Sequence, residues 1–393
     1  MDRRHLIRTL SVLPLTTVAG RLFAAPAIKT RLLLVFLRGG YDAANLLVPV
    51  SSRFYYESRP NIAVPRPGSG LNSALELNAE WGLHPSLRDS IHPLFMKGQA
   101  AFIPFAGTDD TSRSHFETQD SIELGQPQGS RNYRSGFLNR LAACLNGVEA
   151  ISFTDQLPLV LQGDVQVPNM ALRAIGKPAI DARQSAIIAS MYKGTTLGQQ
   201  VSEGFAVREA VMREVSGEME AASRNAITAK GFELEARRIA KLMKDKFTLG
   251  FVDVGGWDTH VAQGGATGYL AGRLDELGRG LAAFADEMGN SWHDTTVVVM
   301  SEFGRTFREN GNRGTDHGHG TVFWVLGGGI RGGQVAGEQV LVEQASLFQN
   351  RDYPVLNEYR AVLGGLFARM YGLNAAQVER IFPGAKPRDI GLI

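Results

Sequence analysis

"FTLGFVDVGG" (247–256) and "TTVVVMSEFG" (295–304) are two short apolar runs that end in glycine or polar residues. Such runs are typical of strands buried on both faces of a sheet. Between them, "YLAGRLDELGRGLAAFADEM" (269–288) carries one stripe of apolar residues at helical spacing: Leu270, Leu274, Leu277, Leu281, Phe284 and Met288. A strand, a long helix and a second strand form a βαβ unit, in which the two strands run parallel.

Three more runs extend this sheet. "RLLLVFLRGG" (31–40) and "AAFIPFAG" (100–107) are also buried-strand patterns, although Pro104 interrupts the second. "TVFWVLG" (321–327) predicts a further strand, and the loop before it lacks the apolar periodicity of a crossover helix. We therefore expect this strand to run antiparallel to its predecessor. Together the patterns predict an α/β fold built as a three-layer α/β/α sandwich with a mixed, mostly parallel sheet.

The helical regions and the domain organisation follow from the remaining sequence. "GFELEARRIAKLMKDKF" (231–247) and the apolar positions between Tyr359 and Met370 predict amphipathic helices. The sequence of roughly 170–245 is charged and predicts helices, and we interpret it as an insertion into the sheet domain. The loop "RPNIAVPRPGSGLN" (59–72) is expected at the surface. We expect one domain over residues 28–393.

The first 27 residues have the pattern of an export signal. An arginine-rich start, an apolar middle and the Ala25-Pro26-Ala27 end fit a cleavable signal peptide, and Arg3-Arg4 resembles a twin-arginine box. The apolar part is about half the ~20 residues that span a bilayer, so no permanent anchor is expected. These features predict a periplasmic or secreted protein that is exported folded.

Charge and cysteine content exclude several classes of protein. The chain has a formal net charge of +2, which falls to about −1 when the arginine-rich residues 1–27 are removed. No basic patch therefore indicates a nucleic-acid partner. Cys144 is the only cysteine, so an intramolecular disulfide is impossible. The sequence does not identify a protein partner.

Polar residues collect where the predicted strands end. The carboxyl ends of parallel strands share one edge of a sheet, and an antiparallel strand begins at that same edge. The candidate metal ligands in these segments are carboxylates and imidazoles: Asp42, Asp258, His260, Glu302, Asp316, His317 and His319. Mixed ligands of this kind predict a divalent metal site, with zinc favoured and calcium, magnesium or manganese as alternatives. An Asp–His pair is also common in hydrogen-bonded turns, and Asp42 alone fits a turn.

Three residues are candidates for catalysis. Ser114 and His115 begin a predicted helix, and a hydroxyl at a helix N-terminus near a metal could act as a nucleophile. Ser112 and Thr111 are alternative nucleophiles, and Ser114 could equally be an ordinary helix cap. Arg305 is a candidate anion clamp, or a surface arginine. The sequence contains no G-x-S-x-G, P-loop or H-E-x-x-H motif.

The motifs "LRGGYDAANLLVP", "SRSHFETQ", "GWDTH", "SEFGRT" and "DHGHG", after a twin-arginine leader, resemble an exported bacterial family of unknown function. That family lies within the alkaline phosphatase/sulfatase-like superfamily. The resemblance implies a metal-dependent hydrolase of small-molecule or polymer-borne phosphate or sulfate esters, with Ser114 or a neighbour as nucleophile. "SEFG" supplies one carboxylate where the superfamily commonly has Asp-His. A non-catalytic envelope or secreted binding protein on the same scaffold is the alternative, so enzymatic activity stays open.

Overall fold

The computed structural model describes residues 29–145, 147–171 and 231–393, with scattered positions between 187 and 201. The predicted signal peptide at 1–27 and most of the predicted insertion at roughly 170–245 lie outside the described residues. Within the described part of the chain, no helix has both the length and the apolar character needed to cross a bilayer.

Two sheets contain all the strands of the described residues. Seven strands follow the order β10-β5-β9-β8-β1-β7-β6, with β11 also paired to β5, and a small second sheet has the order β2-β4-β3. In chain order the strands are β1 (Arg31–Leu37), β2 (Leu47–Pro49), β3 (Leu75–Glu76), β4 (Trp81–Leu83), β5 (Ala100–Gly107), β6 (Ala150–Ser152), β7 (Leu249–Val254), β8 (Thr295–Ser301), β9 (Thr321–Gly327), β10 (Gln334–Val335) and β11 (Asn357–Glu358).

The pairing confirms the predicted strand directions. β7 and β8 both lie parallel to β1, one on each side of it, so the βαβ unit spans the central strand. β9 is antiparallel to both β8 and β5, while every other pairing in this sheet is parallel. Pro104 lies at an irregularity in β5, where the register with β9 shifts between Ile103 and Ala106. A proline cannot donate to a strand ladder, which is why it occurs at such irregularities.

Helices cover the large sheet on both faces. In chain order they are α1 (Ala43–Leu46), α2 (Arg53–Ser58), α3 (Ile91–Met96), α4 (His115–Leu124), α5 (Phe137–Cys144), α6 (Phe232–Asp245), α7 (Tyr269–Met288), α8 (Tyr359–Tyr371) and α9 (Ala375–Ile381). Short 3-10 turns span Pro85–Leu87, Leu159–Leu161, Gly289–Asp294 and Gln344–Ser346. The predicted helices at 231–247, 269–288 and 359–370 correspond to α6, α7 and α8.

Strand β1 shows why the molecule has three layers. Its side chains alternate between faces. Leu33, Val35 and Leu37 join the apolar cluster beneath α3, α6 and α7. Leu32, Leu34 and Phe36 join the cluster beneath α4, α5, α8 and α9. Burying one such side chain contributes about 1.5–3 kcal/mol, so a strand that is apolar on both faces is stable only at the centre of the sandwich. The predicted α/β/α architecture is confirmed.

The loop at 59–72 differs from its prediction. It is irregular in conformation, as expected, but it is not simply a surface loop, because Arg59, Ile62 and Val64 are buried. Proline and glycine indicate where a chain leaves regular structure, but they do not show how deeply it packs. This segment carries Arg59 beneath the edge of the sheet where the candidate site lies.

Segments from five parts of the chain meet at that edge. Four of them follow β1, β5, β7 and β8, and the fifth precedes the antiparallel β9. The loop after β8 and the loop before β9 form an isolated β-bridge between Arg305 and His317. Gly318 makes this approach possible, since a Cβ at that position would lie 2.4 Å from the carbonyl carbon of Arg305. The convergence predicted from the sequence is therefore present.

Candidate metal centre

Three histidines at this edge have the same hydrogen-bonding pattern. The Nδ1 atom of His115 contacts a Glu302 oxygen at 2.8 Å, and Nδ1 of His260 contacts Asp316 Oδ1 at 3.0 Å. Nδ1 of His317 contacts the backbone carbonyl of Arg113 at 3.0 Å. Ionised carboxylates and carbonyls only accept, so each Nδ1 carries the hydrogen. In each neutral ring, Nε2 is then a bare lone pair.

The three lone pairs converge. Nε2 of His317 lies 2.9 Å from Nε2 of His115 and 3.2 Å from Nε2 of His260. Two acceptors at such distances repel each other unless a proton or a cation lies between them. Zn–N bonds of about 2.0–2.1 Å in a tetrahedral site separate ligand nitrogens by about 3.3 Å. The separations of 2.9 and 3.2 Å are close to this value, and with Asp258 the nitrogens of His115 and His317 form a group that could hold an ion.

Asp258 brings a carboxylate to the same point. Its oxygens lie 2.9 Å from Nε2 of His260, 3.2 Å from Nε2 of His317 and 3.6 Å from Nε2 of His115. Ligand atoms of His115, Asp258 and His317 all lie within 4.8 Å of one another, as a shared ion requires. Burial raises the pKa of Asp258, but Arg305 and the neighbouring histidines outweigh this effect and hold the pKa below its usual value.

Glu302 lies behind His115. Its Oε1 accepts from Nδ1 of His115, from Gln119 Nε2 at 2.9 Å and from the backbone N–H of Gly39 at 2.8 Å. Burial raises its pKa, but these hydrogen bonds dominate and lower it, so the side chain is a buried carboxylate. A carboxylate that fixes the ring of a metal-ligating histidine is a common outer partner in metal sites. The contacts favour this supporting role over the ligand role predicted for Glu302 from the sequence.

The two closest histidines differ in basicity. The hydrogen bond to Glu302 raises the pKa of His115, which makes its ring a stronger electron donor. Burial, followed by the charge of His115, lowers the pKa of His317, so that ring is neutral at neutral pH. His115, predicted to be catalytic, thus has the contacts of a candidate ligand.

Asp352 supports His317 through two arginines. It is fully buried and accepts from Arg113 at 2.8 Å and from Arg351 at 3.0 Å. Arg113 presents its carbonyl to His317 Nδ1, and Arg351 donates to the backbone carbonyl of His317 at 2.8 Å. Arg113 adopts a left-handed φ of 55°, which is unfavourable for a non-glycine residue and needs such support.

The donor set fits a divalent transition metal. Imidazole nitrogen with carboxylate suits zinc, whereas calcium and magnesium prefer oxygen ligands alone. Each candidate imidazole has its outer hydrogen-bond partner, and all the ligand atoms lie at the exposed rim of the sheet, where an ion can enter. The residues present therefore form a possible His/Asp site for a divalent metal ion.

Comparison with known families agrees with the sequence motifs. A family model described as "Protein of unknown function (DUF1501)" matches residues 29–382. The chain belongs to the DUF1501 family. A comparison with curated proteins gave no match.

Solved structures with similar folds have little sequence in common with this DUF1501 protein. Ps i-CgsB in complex with k-i-k-neocarrahexaose has a TM-score of 0.38 at 10% identity, covering 91% of this chain and 75% of its own. A second structure of Ps i-CgsB gives 0.38 at 11% identity over the same shares. A protein in the alkaline phosphatase superfamily from Vibrio parahaemolyticus gives 0.33 at 12%, covering 77% of this chain and 61% of its own. At these TM-scores and identities the similarity carries no argument about this chain.

Arg305 of the DUF1501 chain is not free to clamp an anion. Its side chain is fully buried, with Nη1 2.5 Å from Asp258 Oδ1 and 3.4 Å from the Gly39 carbonyl. Nη2 donates to the Thr315 carbonyl and Nε to the Thr315 hydroxyl. Four of its five N–H donors have acceptors within the protein, and the side chain is buried, so Arg305 has no exposed face for the predicted anion clamp.

Asp42 is part of a buried ion pair beneath the centre. Its oxygens contact Arg59 Nη1 at 2.5 Å and Nη2 at 3.1 Å, and both side chains are almost completely buried. Gln263 donates to Asp42 at 2.6 Å and accepts from Thr315, which in turn contacts Arg305. The predicted ligand Asp42 is thus connected to the centre only through other side chains.

Two further candidate ligands lie away from the converging Nε2 atoms. Asp316 contacts His260 at Nδ1, on the other side of the ring from Nε2, and is an outer partner. The ring of His319 packs against Phe348 with centroids 4.8 Å apart. Within the described residues, it forms no hydrogen bond with the other candidate ligands. Burial lowers the pKa of His319, as expected for a ring packed in the interior.

Ser114 is the N-cap residue of α4, directly before His115. Its hydroxyl makes no side-chain capping bond, unlike Ser52 at the start of α2. The Ser112 hydroxyl lies 3.3 Å from Thr118 Oγ1, and Thr111 is exposed. Of the three predicted nucleophiles, Ser114 is adjacent in the chain to a candidate ligand and at the helix N-terminus.

A cleft of about 370 Å³ opens beside the centre. Asp258 and His260 line it together with Arg38, Trp257 and Tyr269. The guanidinium of Arg38 is paired with Glu123 and Asp253, so it does not present an unpaired charge to the cleft. The cleft leaves Asp258 and His260 open to solvent.

Proposed function

We propose that this chain is a metal-dependent hydrolase of phosphate or sulfate esters, carried on small molecules or on polymers. The observation that carries the proposal is the convergence of three imidazole Nε2 lone pairs and Asp258 at the open edge of the sheet. A divalent ion held by His115, His317 and Asp258, with His260 beside them, supplies Lewis acidity toward an ester oxygen.

The chain's own groups then bind and attack the ester. The backbone N–H groups of the first turn of α4 have no acceptor within the helix and can donate to an anionic ester oxygen, and the helix dipole favours negative charge there. The Ser114 hydroxyl at that helix end is the proposed nucleophile: as its oxygen bonds to phosphorus or sulfur, the bond to the leaving oxygen breaks, and the hydroxyl proton passes through solvent to that leaving oxygen. A water molecule then attacks the Ser114 ester, which releases phosphate or sulfate and restores the hydroxyl. Ser112 and Thr111 are the alternatives.

The experiment combines elemental analysis of the purified protein with turnover of aryl phosphate and aryl sulfate esters. We expect bound transition metal, turnover of at least one ester class, and loss of turnover after chelation. Ser114→Ala should keep the metal and lose turnover, while Ser112→Ala and Ser130→Ala, the latter at an exposed position, should retain it. A folded protein that binds no metal and turns over neither ester would support the non-catalytic binding protein instead.

We also propose that the chain is exported to the periplasm or beyond, as its N-terminal residues suggest. Arg3 and Arg4 precede an apolar segment and the Ala25-Pro26-Ala27 pattern. Replacing both arginines by lysine should leave the precursor uncleaved inside the cell. Efficient export of this double variant would contradict the twin-arginine route without affecting the proposed chemistry.

A further inference from the structure

We propose that the centre binds a single divalent ion per chain, and that the guanidinium of Arg305 supplies the second positive charge. This inference rests on the proposed metal centre and specifies its composition. It follows from which carboxylate oxygens remain available to bind an ion and from the position of the Arg305 guanidinium.

Among the described residues, four of the five carboxylates around the centre are committed elsewhere, and one of these four is Asp352, which Arg113 and Arg351 hold. Glu302 and Asp316 contact the Nδ1 atoms of His115 and His260, so an imidazole ring lies between each carboxylate and the converging Nε2 atoms. Asp42 is bound by both terminal nitrogens of Arg59 and by Gln263. Asp258 is therefore the carboxylate within ligand distance of the Nε2 atoms, and it suffices for one ion together with the imidazoles.

A second ion beside the first would need an oxygen of Asp258 as a bridging ligand. Glu302 and Asp316 contact the Nδ1 side of their histidine rings, and Asp42 is bound by Arg59. Oδ1 of Asp258 already accepts from Arg305 Nη1 at 2.5 Å. Arginine stays protonated at all ordinary pH values, and this side chain is fully buried. A permanent cation in a buried position repels a second divalent ion much more strongly than it would in water.

The Arg305 side chain is also held in place. Nη2 and Nε both bond to Thr315, and Nη1 also contacts the Gly39 carbonyl. Thr315 is itself fixed by Gln263. Because these bonds come from three different loops, the guanidinium cannot swing out to make room for an ion without breaking contacts between the loops.

The test is a titration of chelator-treated protein with Zn²⁺ and, separately, with Co²⁺. We expect zinc analysis after gel filtration to give one ion per chain and the visible Co²⁺ absorption to saturate at one equivalent. Two ions per chain would overturn the inference and leave the proposed hydrolase standing. No bound ion would overturn both.

Paired substitutions test the part played by Arg305. Arg305→Lys keeps a positive charge and should still bind one ion. Arg305→Gln removes the charge and frees Asp258 Oδ1, so it should take up a second equivalent at higher zinc concentration. Circular dichroism identifies the folded variants. A folded Arg305→Gln protein that stays at one equivalent would overturn the role of Arg305, and the wild-type stoichiometry tests the single ion independently.

Discussion

The Nε2 atoms of His115 and His317 face each other across 2.9 Å, and both rings direct their N–H groups to oxygen acceptors on their opposite sides. Two lone pairs held this close store repulsion that a cation relieves. The arrangement includes two unfavourable features: the carboxylate of Glu302 is buried behind the ring of His115, and Arg113 behind His317 has a left-handed backbone. Unfavourable features of this kind are common at ligand-binding sites, and they support the proposed metal centre.

Removal of one converging nitrogen should weaken the centre severely. For His317→Ala we expect zinc affinity to fall more than about 100-fold, beyond the cost of losing an outer partner. Isothermal titration calorimetry measures the change. His293→Ala is the matched control, because that side chain is 80% exposed, and it should bind zinc like the wild type. Unchanged affinity in His317→Ala would remove His317 from the centre.

Glu302→Gln should lower zinc affinity by about 10–100-fold and keep the number of bound ions unchanged. The amide keeps the shape of the side chain but loses the charge that makes His115 a stronger donor. Glu117→Gln is the control, since that half-exposed glutamate lies on the same helix as His115. If Glu302→Gln instead reduced the number of ions bound at saturation, Glu302 would be a direct ligand.

Arg59→Met should destabilise the fold by about 3–5 kcal/mol, because it leaves the carboxylate of Asp42 buried without its partner. Urea denaturation measures the free energy of unfolding. Arg53→Met removes an exposed ion pair with Glu57, of the kind that contributes about 0–1 kcal/mol. Equal effects of the two substitutions would contradict the importance of the buried pair. Zinc stoichiometry should not change in either variant.

His84 should make the fold sensitive to mild acid. Its Nε2 donates to the Gly265 carbonyl, and its Nδ1 accepts from the Ser86 backbone N–H, so a second proton on Nδ1 would break the bond from that N–H. Burial lowers its pKa from 6.5 to about 4. The unfolded chain therefore takes up this proton first, and the contribution of neutral His84 is complete above pH 6.5 and lost as pH falls toward 4. About two and a half pKa units correspond to about 3 kcal/mol.

The measurement is the unfolding free energy of wild type and His84→Gln between pH 7.5 and 4.5. The substitution removes the titrating group, so the loss of stability with acid should be about 3 kcal/mol smaller in the variant. His293→Gln, at an exposed position, should follow the wild-type curve. Parallel curves for wild type and His84→Gln would show that His84 takes up its proton equally in both states.

The sheet could be predicted because its strands are apolar on both faces and the helix between β7 and β8 has a complete apolar stripe. The antiparallel β9 followed from the missing crossover helix. Strands β2, β3 and β4 could not be predicted, because two or three residues are too few to show a period. The burial of the loop at Arg59 could not be predicted either, because the sequence does not distinguish an arginine in a buried ion pair from an exposed arginine in a loop.

The sequence was sufficient to predict where the candidate site lies, but not which atoms of its residues contact each other. Asp258, His260 and His317 could be identified because carboxylate and imidazole recur beside glycine at strand ends. The sequence could not tell that Nδ1 of His115 meets Glu302, so it predicted a catalytic role for His115 and a ligand role for Glu302. The contacts instead favour His115 as a candidate ligand and Glu302 as its hydrogen-bond partner. His319 was included with His317 by spacing, but its ring turns to Phe348. Asp352 was missed, because a lone aspartate in "NRDYP" has no pattern that connects it to a distant histidine.

The donors of the centre are spread along the chain, from the helix after β5 to the turn before β9. A growing polypeptide therefore lacks a complete coordination sphere until most of it has been synthesised. An ion that bound there would tie the early part of the molecule to the late part, so that nicking any of the intervening loops would leave the two pieces held together. Metal would then bind to this protein only after the chain has folded.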